Sequence, residues 1–165
     1  MGLDMYLSVR KYVGRLDLSA GYDDVKGWSH DEQFDKVMDS CGMSEFLETD
    51  NTTGLHVEVP VAYWRKANAI HKWFVDTRAD GEDNCQPIWV CSNHLEELLE
   101  LCNQVLADNS KADELLPTEG GFFFGPTEYD EWYFQGIEYT QRRLTELIPL
   151  MKNSDNDSAV YQASW

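Results

Sequence analysis

Apolar and polar positions alternate at the start of the chain. Leu3, Met5, Leu7 and Val9 are interleaved with Asp4, Tyr6 and Ser8. A period of two predicts a half-buried strand. Leu55, Val57 and Val59 alternate with His56 and Glu58 and predict a second strand ending at Pro60. Residues 87–91, Pro-Ile-Trp-Val-Cys, predict a third. Helical spacing dominates elsewhere. Pro60 opens a predicted helix over 61–78, since proline is favoured in a first helical turn. Ser92 caps another that runs to Asp108, with Leu95, Leu98, Leu99, Cys102, Val105 and Leu106 as its stripe. A third, over 128–148, carries Tyr129, Tyr133, Gly136, Ile137, Thr140, Leu144 and Leu147. Thr127 with Asp130 resembles its capping box, and Pro149 stops or kinks it.

The weaker elements are a short helix over 31–38, a turn over 44–48 and a helical turn over 111–116. Residues 14–30 read as loop, and Asp50-Asn51-Thr52-Thr53-Gly54 as a turn. Residues 153–165 are polar and read as a frayed tail. The expected fold is α+β: a small, mainly antiparallel sheet of three to four strands packed against three long helices. The expected organisation is a single domain over 1–152 followed by the tail.

Composition narrows the function classes. The chain has 165 residues, 30 Asp and Glu against 13 Lys and Arg, and a net charge of −17. Such a field repels nucleic acid and anionic membranes, so neither is an expected direct partner. No apolar run reaches the roughly 20 residues of a membrane helix, and the first residues do not read as a signal peptide. Reduced thiols are expected at Cys41, Cys85, Cys91 and Cys102. The spacing Cys85-x5-Cys91-x2-His94 is not that of a zinc knuckle, so no metal and no cofactor is assigned. No G-x-S-x-G, H-E-x-x-H or Walker sequence is present. Binding is therefore favoured over catalysis, although a cysteine could meet His71 in space.

The predicted helix over 61–78 offers the most specific chemistry. At helical pitch Tyr63, Ala67, Ile70 and Phe74 make one apolar arc. Trp64, Asn68 and His71 share its edge, with Arg65 and Lys72 beside them. Those five residues form the expected ligand site. The cations would neutralise phosphates or carboxylates, the indole would stack, and the amide and imidazole would read hydrogen-bonding edges. The plainer alternative makes Asn68 and His71 satisfied core-border groups and pairs Arg65 and Lys72 with surface acids. Phe122, Phe123 and Phe124, between Gly121 and Gly125, are the expected partner-binding residues. Three consecutive phenylalanines on an extended chain cannot all face one core.

Several segments together resemble a family of small proteins encoded by bacteriophages and prophages. They are the opening Met1-Gly2-Leu3-Asp4-Met5-Tyr6-Leu7, the stretch Tyr63-Trp64-Arg65-Lys66-Ala67-Asn68 with Ile70-His71-Lys72-Trp73-Phe74-Val75, and Asp83-Asn84-Cys85. Leu116-Pro117-Thr118 and Gly121-Phe122-Phe123-Phe124-Gly125 through Tyr129-Asp130 complete the set. The resemblance spans residues 1 to about 148. It departs from the family at Gln86-Pro87, where members follow Asp-Asn-Cys with glycine. It implies a phage accessory protein acting in the host cytoplasm and carries over no catalytic residue. The expected function is counter-defence by binding and sequestering a small anionic, nucleotide-like ligand. One alternative is an acidic inhibitor of a host defence protein, acting as a nucleic-acid mimic. Another is a small enzyme acting on a nucleotide. Oligomeric state is left open.

Overall fold

The computed structural model describes residues 2–15, 32–48, 53–154 and 157–165. Most of the loop expected over 14–30, and turn residues 50–52, lie outside the described residues. The fold is α+β, with one four-stranded antiparallel sheet in the order β2-β1-β4-β3. Its strands are β1 (Asp4–Gly14), β2 (Gly54–Arg65), β3 (Ile88–Val90) and β4 (Ala159–Ser164). The helices are α1 (Glu32–Ser40), α2 (Asn68–Arg78), α3 (Ser92–Ala107), α4 (Ala112–Leu115) and α5 (Glu131–Lys152), with 3-10 turns at Ser44–Glu48 and Asn109–Lys111. Contacts divide the chain into two compact units, one of residues 10–58 and one of the remainder.

The larger unit holds the principal core. The register of β1 on β4 sets Met5 opposite Ala163, Leu7 opposite Tyr161 and Val9 opposite Ala159. Ile88 of β3 also pairs with Tyr161. Side chains alternate across a strand, so these residues share one face, and Leu3, Met5, Leu7, Ile88, Ala159, Tyr161 and Ala163 are all buried. The opposite face carries Tyr6 paired with Gln162, both exposed. The buried face packs against α2, α3 and α5, which contribute Ile70, Phe74, Leu95, Leu98, Ile137 and Leu144. None of the described helices is long and apolar enough to cross a membrane.

The smaller unit has its own cluster of Val13, Phe34 and Met38, with Leu55 packed against it. Arg10 donates to the Glu58 carboxylate at 2.7 Å, and the Tyr12 hydroxyl donates to the Thr53 carbonyl at 2.9 Å.

Four expectations are corrected. The second strand does not end at Pro60 but runs through it to Arg65, and the helix begins only at Asn68. Proline lacks an N–H and is tolerated on edge strands, and β2 is an edge. The first long capped helix starts from Cys91, not Ser92, whose N–H and hydroxyl both donate to Asp157. The last helix is capped by Asp130, which accepts from the Tyr133 amide at 3.1 Å, and it passes through Pro149 to Lys152. The stretch expected as a frayed tail supplies β4, an interior strand of the sheet.

Candidate functional site

Of the five residues expected to bind a ligand, the structure brings two to a cleft. Trp64 is buried on β2, where its indole N–H donates to Thr140 Oγ1 at 2.8 Å and its ring meets Tyr139 edge-on. That is core packing, and the strand turns Trp64 to the face opposite Arg65. His71 is 1% exposed. Its Nδ1 lies 2.7 Å from the Tyr161 hydroxyl and its Nε2 lies 3.1 Å from Asp83 Oδ2. Burial, then the neighbouring Asp83 carboxylate, pushes the Tyr161 phenol well above its ordinary pKa. The phenol therefore keeps its proton, and both ring nitrogens of His71 have a hydrogen-bonding partner. The imidazole ties α2 to β4 and to the turn before β3. Lys72 donates to Asp76 one helical turn away at 2.6 Å, and that bond raises its pKa.

Arg65 and Asn68 line a cleft of about 390 Å³. That volume lies within the range of small-molecule sites. Its floor is apolar: Ala67, Ala69 and Ile70 from the start of α2, and Tyr133, Gly136 and Ile137 from α5. Trp132, 76% exposed, stands at its edge. Charge is confined to four residues, the cations Arg65 and Lys66 and the acids Glu128 and Asp130.

The corner between β2 and α2 is held in an unusual backbone state. Lys66 has φ 58°, a left-handed conformation uncommon for residues other than glycine and frequent at functional sites. Its N–H donates to the Leu3 carbonyl at 2.8 Å, and Leu3 N–H donates to the Phe123 carbonyl at 3.0 Å. Gly125 (φ 92°) completes the corner, because a Cβ there would lie 3.1 Å from Lys66 Cβ. The strained corner directs the chain into α2 with Arg65 and Lys66 immediately before its first turn. No side chain caps α2, and its first turn holds no acid. The first amides of a helix have no intrahelical acceptor and carry partial positive charge. Residues 67–70 bring that end of α2 to the cleft.

Asn68 lines the cleft but its amide is already committed. Nδ2 donates to the carbonyls of Phe124 (3.2 Å) and Pro126 (2.8 Å), and Oδ1 accepts from the Glu119 amide (3.4 Å). It pins the loop over 118–126, of which Thr118 and Pro126 reach the cleft. Asn68→Ala should leave three backbone groups unpaired and lower stability by about 2–3 kcal/mol, measured by urea denaturation. An unchanged midpoint would show that the loop holds without the amide.

The three phenylalanines part company in this loop. Phe122 is 97% exposed. Phe123 is half-buried and meets Phe122 edge-on, whereas Phe124 turns inward against His71 and Trp165. Only Phe122 is fully offered to a partner.

Four contributors were missed in the sequence: Lys66, Glu128, Asp130 and Trp132. Lys66 stood inside the cationic stretch. The other three became neighbours of it only through the packing of α5. Among the described residues, no group of three or more His, Cys, Asp or Glu could hold a metal ion. Burial pushes the Cys102 thiol up to about 12. Comparison with family models, curated proteins and solved structures finds no match to this chain.

Proposed function

We propose that the protein binds and sequesters a small anionic, nucleotide-like ligand in the cleft between the β2–α2 corner and α5. One observation carries the reading: the uncapped start of α2, Arg65 and Lys66 all line the same 390 Å³ cleft. Helix amides and flanking cations favour phosphate and carboxylate groups. The apolar floor suits a flat ring, and the exposed Trp132 offers it a stacking face. The guanidinium of Arg65 lies 4.0 Å from Asp4, the far limit of an ion pair. Lys66 has no carboxylate within that limit among the described residues. Lys66 is therefore free to turn to an incoming anion, and Arg65 gives up only its long contact with Asp4. The phage resemblance gives this activity a setting, removal of a host signal nucleotide.

Calorimetry and thermal melts with AMP, GMP, cyclic mononucleotides and ADP-ribose test the reading. Saturable binding to at least one is expected. Arg65→Ala and Lys66→Ala should each weaken it about tenfold, the scale of one charge-assisted hydrogen bond. Flat titrations across the set would end the proposal.

The 97% exposure of Phe122 favours a second reading, a protein partner anchored at the loop tip. On that reading Phe122→Ala abolishes capture of the partner and leaves nucleotide titrations untouched.

A further inference from the structure

The cleft lining carries charges of both signs. Arg65 and Lys66 reach it from the β2–α2 corner, Glu128 and Asp130 from the start of α5. No ion pair joins the two sets among the described residues. Asp130 spends Oδ1 on the Tyr133 amide, and its other oxygen accepts no hydrogen bond among the described residues. Glu128 is exposed and accepts no hydrogen bond among them either. A cleft built for an anion alone gains nothing from two carboxylates, which repel the anion. Carboxylates accept hydrogen bonds and cannot donate them. A ligand that satisfies the whole lining has an anionic group for the two cations and N–H donors, on a flat ring, for the two carboxylates.

We infer that the ligand is a nucleotide whose base bears an exocyclic amine, with the purines as the probes, and that Glu128 and Asp130 select for the amine. This rests on the nucleotide-binding reading above. Adenine presents an amine where hypoxanthine presents a carbonyl oxygen, and guanine adds an amine that hypoxanthine lacks. An oxygen facing Glu128 meets like charge, whereas an amine meets an acceptor. The phosphate and ribose are common to all three bases, so the α2 end of the cleft treats them alike.

Titration of the full chain with AMP, GMP and IMP separates the two ideas. The expected result is that AMP or GMP binds about tenfold or more tightly than IMP, the scale of a hydrogen bond to a charged group. Glu128→Gln, on an exposed side chain, should leave the melting temperature in place and shrink that ratio. Equal affinity for all three overturns the amine selection and leaves the nucleotide reading standing. A ratio unchanged in both Glu128→Gln and Asp130→Asn overturns the roles of these acids. Failure of all three to bind overturns this inference, and the cyclic mononucleotides and ADP-ribose of the wider set then decide the nucleotide reading by themselves.

Discussion

A chain ending at residue 157 should fail to fold. Such a chain lacks β4, which lies between β1 and β3 and pairs with β1 from Asp4↔Ser164 to Val9↔Ala159. Ala159, Val160, Tyr161 and Ala163 are all buried. Their loss would expose the core side of β1 and strip both neighbouring strands of hydrogen-bonding partners, and unpaired backbone groups in a core are costly. Single substitutions grade the effect. The Tyr161 ring stacks on Phe74 with centroids 3.9 Å apart. Tyr161→Ala should cost about 3–5 kcal/mol, as large aromatic truncations do, out of a total stability of about 5–15 kcal/mol. Tyr161→Phe keeps the stack and leaves His71 Nδ1 without its hydrogen-bonding partner, for about 1–3 kcal/mol. Circular dichroism and urea denaturation read all three. A truncated chain with native helical signal and an unshifted midpoint would refute the role given to β4.

That strand also marks where the sequence is hard to read. Ala159, Tyr161 and Ala163 do alternate with Val160, Gln162 and Ser164, but alanine and serine contribute little contrast. A two-residue period carried by small side chains looks like polar tail. The first strand was legible for the opposite reason, because Leu3, Met5 and Leu7 are large and all buried. At residues 61–65 two periods compete. Tyr63, Ala67, Ile70 and Phe74 fit a helix, whereas Ala62 and Trp64 inside with Tyr63 and Arg65 outside fit a strand. Pairing within the sheet selected the strand, and the edge position removed the objection from Pro60. That single choice took Trp64 out of the expected site and turned Arg65. It put Trp64 into the core and left Arg65 at the lip of a helix instead of on its side. The cationic end of the cleft was thus visible as a stretch of residues and wrongly oriented. The acidic end and Trp132 were not visible, because no local pattern brings residues 65–70 near residues 128–137.

Gly136 offers the most decisive test of the cleft, because fold and binding should move in opposite directions there. It lies inside α5, where glycine costs about 0.5–1 kcal/mol relative to alanine. A Cβ on it would sit 3.9 Å from Ala67 Cβ, an ordinary contact. Gly136→Ala should therefore stabilise the protein by up to about 1 kcal/mol and only narrow the cleft floor. Gly136→Leu adds an isobutyl group to a helix face that lines the cleft. It regains helix propensity, and the new side chain occupies the space assigned to the ring. Its expected signature is a melting temperature within a few degrees of the parent, together with loss of nucleotide binding by about a hundredfold or more. A surface mode of binding at Arg65 and Lys66 alone would survive Gly136→Leu and vanish in Arg65→Ala. A ring seated on Ile70 and Ile137 cannot survive either change at full affinity. Calorimetric titration of Gly136→Leu beside Arg65→Ala thus distinguishes a ligand held in the cleft from one attracted only to its rim, and undiminished affinity in Gly136→Leu would place the ring elsewhere.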